Sequence, residues 1–326
     1  MAAARRGSRR GAIAIPLGAL LAAACSGGGS QLAQQGQPAA STTAGASAAT
    51  SAATGSSSTS PPSATIDSTP RPSSPAHPPV PTSELASPKT PEAAARELRR
   101  VETALRGDDR DPARLERLGR RQQLAYRALS AHPAWRTAVE AAMPVDLRTA
   151  VQANLDAGAA LGSLTGTGDE LPSSLPDWKV LAPQAAPTLR GYYEEGEAAT
   201  RIPWAYLAAI HFVESRVGRI HGPSGAGAQG PMQFIPSTWE AYGTGDINDD
   251  HDAILAAGRY LADTGGPGDM ARALAAYNHD DRYVAAVDAY AKVMLADPRA
   301  YDGYHAWQVF FATRDATFLL PEGFGT

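Results

Sequence analysis

Glu214 closes an apolar helical stretch, Ile202-Pro203-Trp204-Ala205-Tyr206-Leu207-Ala208-Ala209-Ile210-His211-Phe212-Val213. The chemistry it offers is proton transfer. A carboxylate withdrawn from water is costly unless paired or neutral, so apolar surroundings favour the protonated acid. An ordinary glutamate, with a pKa near 4.3, is only about 0.2% protonated at pH 7. Raising that pKa to about 6 leaves roughly a tenth of the molecules able to donate a proton. On a helix, His211, Ile210 and Leu207 stand three, four and seven positions before Glu214 and share its side, which supplies such surroundings. An isolated glutamate at a helix end would read as a surface residue. Two downstream segments change that reading.

The first is Ser224-Gly225-Ala226-Gly227-Ala228-Gln229-Gly230-Pro231-Met232-Gln233. Gly225, Gly227 and Gly230 permit positive φ or a close backbone approach to a ligand, and Met232-Gln233 then presents an apolar contact and an amide. No Gly-Lys-Ser/Thr follows, so these glycines are not a phosphate-binding loop. The second segment is Ala276-Tyr277-Asn278. In this order, the Glu214-Ser215 pair, the Gly-rich turn and Ala276-Tyr277-Asn278 resemble the catalytic domain of soluble-type lytic transglycosylases and goose-type lysozymes. Those enzymes cut the glycan strands of bacterial peptidoglycan. Pro231 stands where that family usually has leucine, and Phe234-Ile235-Pro236-Ser237-Thr238-Trp239 resembles a second branch of lytic transglycosylases.

The resemblance implies a mostly α, lysozyme-like catalytic domain over 188–326. It implies Glu214 as the catalytic acid and Ser215, Met232, Gln233, Tyr277 and Asn278 as substrate-binding residues, with the Tyr277 hydroxyl reaching the acid. The implied reaction cleaves the β-1,4 bond between N-acetylmuramic acid and N-acetylglucosamine and leaves 1,6-anhydro-N-acetylmuramic acid. It needs no cofactor and no metal. Two alternatives stay open: a lysozyme-type hydrolase, with Asp246 as the nearest second carboxylate, and a non-catalytic wall-binding lipoprotein. Asp246, Asn248 and Asp250 are spaced like the start of an EF-hand loop. The sixth position is His251 rather than Gly and the twelfth Ala257 rather than Glu, so capping duties fit better.

Other elements must position these residues. The chain has 326 residues, and no aromatic precedes Tyr126, so the core is expected in the C-terminal two thirds. Net charge is −4 with both signs mixed, which leaves no basic footprint for nucleic acid. Thr90-Pro91-Glu92 predicts a helix start, and Leu98, Val101 and Leu105 keep helical spacing. Further helices are expected from Pro112, around Trp135 to Met143 and over 146–161, forming an accessory helical region at 89–187 whose last part, 162–187, is a connection. After residue 188 helices are expected over 253–261, 270–277 and 283–295, and no stretch alternates as a half-buried strand would.

The N-terminus carries addressing signals. Arg5, Arg6, Arg9 and Arg10 precede an apolar run over 11–24, shorter than the roughly 20 residues that span a bilayer. This reads as a signal peptide, with a faint twin-arginine likeness. Leu21-Ala22-Ala23-Ala24-Cys25 resembles a bacterial lipobox, which implies a lipid anchor at Cys25 on the outer face of the cytoplasmic membrane. Ordinary cleavage, leaving a free thiol, is the alternative. Cys25 is the only cysteine, which excludes an intramolecular disulfide. Residues 25–88, rich in Ser, Thr, Ala and Pro, predict a disordered linker.

Overall fold

The computed structural model describes residues 77–326. The expected signal peptide, the Cys25 anchor and most of the linker lie outside these residues. The described chain is mostly helical: α1 (Pro91–Leu105), α2 (Pro112–Ala131), α3 (Arg136–Ala141), α4 (Val145–Gly162), α5 (Ala186–Thr200), α6 (Trp204–Ser215), α7 (Pro236–Tyr242), α8 (Asp250–Thr264), α9 (Met270–Tyr277), α10 (Asp281–Ala296) and α11 (Ala300–His305). Local chemistry explains the starts. Pro91 and Pro112 sit in first turns, where a missing N–H costs nothing, and the Thr90, Asp111, Asp249, Asp269 and Asp280 side chains accept from the first free backbone N–H groups.

α6 is buried along its whole length, which is why its sequence shows no polar face. It packs against α5, α8 and α10, and α10 in turn lies on α4. One buried apolar cluster runs from Ala94 and Leu98 in α1 through α6 to Tyr304 and Trp307. The helices on either side of residue 188 therefore share a core. Polar links reinforce it: Tyr304 Oη donates to Asn154 Oδ1 at 2.7 Å, and Trp307 Nε1 donates to Gln122 Oε1 at 2.9 Å.

Short strands complete the fold where no alternation was visible. β1 (Val80–Pro81), β5 (Thr317–Leu320) and β4 (Val309–Ala312) form an antiparallel sheet in the order β1-β5-β4, with Val80 opposite Leu319 and Phe310 opposite Leu319 on the other side. Residues 80–81, expected within the linker, are thus a sheet edge. β2 (Lys179–Val180) pairs antiparallel with β3 (Ile220–His221). The physical reason these were missed is plain: β4 is buried on both faces, so Val309-Phe310-Phe311-Ala312 reads as a continuous apolar run, and the other strands except β5 have two residues. β2 and β3 matter for the site, because Leu181 N–H also donates to Arg219 O at 2.9 Å and ties down the chain leaving α6.

Candidate active site

Glu214 occupies the last turn of α6 and is 3% exposed. Among the described residues its side-chain hydrogen-bond partner is the Tyr283 hydroxyl, which donates to Oε1 at 2.6 Å from the first turn of α10. Burial pushes the Glu214 pKa from 4.5 up to about 8, and the Tyr283 hydrogen bond opposes that shift without cancelling it. The carboxyl is thus roughly nine-tenths protonated at pH 7, a stronger proton reservoir than the sequence alone led us to expect.

The segment after α6 folds back beside the acid. Residues 229–234 form a tight turn closed by paired backbone bonds between Gln229 and Phe234, each 2.9 Å. Gly230 has a φ of 73°, and a Cβ there would lie 1.8 Å from Ile247 O, so only glycine fits. Ser224 shapes the loop before this turn, its Oγ accepting from Ala226 N–H at 3.2 Å and Ala228 N–H at 3.0 Å. Ser215, expected to bind substrate, is fully buried and clamps the protein instead: Oγ donates to Pro231 O at 2.6 Å and accepts from Gly218 N–H at 2.9 Å. Met232 is buried. Gln233, 1% exposed and at a φ of 49°, donates through Nε2 to Gly230 O at 2.9 Å and leaves Oε1 without a partner.

Tyr277, expected to reach the acid, does not bond to it. Its hydroxyl donates to Met232 O at 2.6 Å, while burial, and then the nearby Glu214 charge, hold the phenol well above its ordinary pKa. The direct hydroxyl contact belongs to Tyr283, one helix further on. Asn278 ends α9, its Oδ1 accepting from Asp280 N–H at 3.0 Å and its buried Nδ2 lacking a partner. Tyr277→Phe is therefore expected to cost about 1–3 kcal/mol of stability, because the buried Met232 carbonyl loses its donor. Thermal melting checks this, and an unchanged midpoint would contradict it.

Residues 191–293 match the family model described as Transglycosylase SLT domain. The SLT segment contains every site residue described above, from Glu214 through Gln233 to Tyr283. A curated relative, the membrane-bound lytic murein transglycosylase F of Thiobacillus denitrificans, is 31% identical over 127 residues, covering 36% of this chain and 27% of the relative. The chain thus matches about a quarter of that relative's length. No solved structure matches the chain.

A second buried glutamate shows what sets the acid of the SLT segment apart. Glu102 in α1 is fully buried, yet it accepts from Tyr126 Oη, from Gln122 Nε2 at 3.0 Å and from the Arg106 guanidinium, which pairs with it one turn away. That is a satisfied structural ion pair. No lysine, arginine or histidine pairs with Glu214 among the described residues. A buried carboxyl with one neutral donor and no counter-charge is the arrangement that keeps a proton at neutral pH.

Sequence reasoning missed Tyr283 and Ser224. Tyr283 was visible only as the start of a helix, since nothing along the chain links it to Glu214, 69 positions earlier. The residues of the EF-hand-like stretch diverge: Asp246 accepts from Asn248, Asp249 caps α8 through Asp252 N–H, and Asp250 turns toward His211 and Gln184. Asp249, His251 and Asp252 bring ligand atoms within 4.8 Å of one another, but His251 is engaged by Glu195 and Asp252 accepts from Asp246 N–H. Among the described residues, no helix is long and apolar enough to cross a membrane.

Proposed function

We propose that this chain is a peptidoglycan lytic transglycosylase that cleaves the β-1,4 bond between N-acetylmuramic acid and N-acetylglucosamine. The observation that carries the reading is Glu214: a buried carboxyl inside the SLT segment, hydrogen-bonded by the neutral Tyr283 hydroxyl and without a counter-charge, whose burial raises its pKa. Glu214 donates its proton to the glycosidic oxygen as the bond from that oxygen to the muramic C1 breaks, releasing the N-acetylglucosamine hydroxyl. The resulting carboxylate, still hydrogen-bonded by Tyr283, then takes the proton of the muramic C6 hydroxyl as that oxygen bonds to C1. The cycle returns Glu214 to its starting state and consumes no water. Holding C6 near C1 replaces a second carboxylate, because intramolecular reactants reach very high effective molarity.

Two further features support the reading. Gln233 Oε1 and Asn278 Nδ2 are buried without partners, a state that costs free energy unless a ligand satisfies them, and sugar hydroxyl and acetamido groups supply matching donors and acceptors. Asp246, the candidate for a hydrolytic second carboxylate, is exposed and its Oδ1 holds the Asn248 turn. The product is expected to end in 1,6-anhydro-N-acetylmuramic acid. Mass spectrometry of muropeptides released from purified peptidoglycan decides it: mainly products heavier by one water, with a reducing end, would make the enzyme a hydrolase.

The same reading places the enzyme in the cell envelope, held at the membrane by a lipid on Cys25. It is supported by the lipobox-like Leu21-Ala22-Ala23-Ala24-Cys25, and the relative's name describes that protein as membrane-bound. The mature N-terminus is expected to be lipidated Cys25, and intact-protein mass spectrometry of the exported form tests it. An unmodified thiol or a start elsewhere would contradict the anchor.

A further inference from the structure

The turn that leaves the catalytic helix is strained. Arg216, Val217 and Gly218 follow one another with φ of 57°, 55° and 80°. A β-branched residue such as Val217 is strongly disfavoured there, and such a conformation persists only when its surroundings over-determine it. The backbone supplies part of that constraint, with Arg216 N–H donating to Phe212 O at 3.2 Å and Val217 N–H to His211 O at 3.1 Å. The remainder comes from two side chains. Gly218 rests so closely on them that a Cβ would stand 2.8 Å from Asp250 Oδ1 and 3.3 Å from His211 Nε2.

These two side chains meet each other at 3.3 Å and are held from both ends. His211 is fully buried, and its Nδ1 lies 2.8 Å from the Tyr193 hydroxyl of α5. Asp250, in the first turn of α8, accepts at Oδ2 from Gln184 Nε2 at 3.0 Å. Neither residue is hydrogen-bonded to Glu214, and the mechanism above does not use them. We propose that the His211–Asp250 pair is the positioning anchor of the active site. It supports the 216–218 turn from below. Gly218 N–H then holds Ser215 Oγ, which donates to Pro231 O, so the pair sets where the Met232-Gln233 turn stands beside Glu214. His211 and Asp250 are positioning residues that act through the backbone.

This inference rests on Glu214 being the acid, and its test has an arm that does not. In the full chain, Asp250→Ala is expected to lower kcat on soluble glycan strands by roughly 10- to 100-fold, the scale of a misplaced catalytic group, with KM within about twofold. Asp250→Asn keeps the shape and can bond both neighbours, so it should restore most of that loss. Independently of activity, hydrogen exchange followed by mass spectrometry should rise in Asp250→Ala over residues 212–220 and 228–236, with α4 and α10 unchanged. Full kcat in Asp250→Ala, no recovery in Asp250→Asn, or exchange rising evenly through the core would each overturn the anchor. Activity surviving in Glu214→Gln would instead remove the proposed function, while the exchange pattern would still decide the anchor.

Discussion

Glu214→Gln is expected to abolish release of muropeptides while making the fold more stable at neutral pH. The amide preserves shape and can still accept from Tyr283, but it carries no proton for the leaving oxygen and cannot act as base afterwards. General acid–base catalysis alone contributes about 10²–10⁴-fold, and both roles fall on this residue, so the loss should reach at least that range. The stability effect follows from linkage. Burial raises the Glu214 pKa from 4.5 to about 8, so between those values the folded chain retains a proton that the unfolded chain releases. Its contribution is complete below about pH 4.5 and is lost as the pH rises through 8. By pH 7 the wild type has forfeited on the order of 3 kcal/mol relative to pH 4.5, and glutamine forfeits none. Denaturant melts at pH 5 and pH 8 should therefore show the advantage of Glu214→Gln growing with pH. An advantage that shrinks with pH would mean that the folded state favours the charged carboxylate.

Tyr283→Phe should give the second largest effect, through the acid itself. The Tyr283 hydroxyl stabilises the carboxylate form of Glu214, so its removal leaves burial unopposed and moves the pKa higher still. The limb of the pH–rate profile that reports loss of the proton is expected to shift upward by about one unit, the scale of one hydrogen bond to a charged group. The rate should fall roughly 10-fold, because the carboxylate left after proton donation loses its donor. The ring remains packed, but the buried Glu214 carboxyl loses its donor, so a stability loss of about 1–3 kcal/mol is expected, as for Tyr277→Phe. The shift of the pH profile is what sets Tyr283 apart. A slower enzyme with an unmoved pH profile would show that Tyr283 serves packing alone. Tyr277→Phe provides the contrast, since its hydroxyl serves Met232 O and should be read mainly in stability.

The residues that were legible in the sequence are those whose role depends on their immediate neighbours. Thr90 and Asp111 could be read as caps because a cap and the N–H it satisfies lie three residues apart. Glu214 could be read as a buried acid because the whole of α6 around it is apolar. The order of Glu214, Met232-Gln233 and Tyr277-Asn278 already carried a resemblance to lytic transglycosylases, with all of these residues inside the segment 191–293 that matches the SLT domain model. Tertiary structure decided what periodicity does not encode. Both Tyr277 and Tyr283 present a hydroxyl toward the core, and only the packing of α10 on α6 gives the acid to Tyr283. Glu102 and Glu214 are both buried glutamates, and what separates a structural ion pair from a carboxyl that burial holds protonated is whether a guanidinium stands nearby. Asp250 looked like a cap or a cation ligand until α8 carried it under Gly218 beside His211. A chain specifies the faces of its own helices through local spacing. Which charges and hydroxyls meet across those faces is set by the packing of segments tens of residues apart, and in this protein the pKa of the acid is fixed at that level.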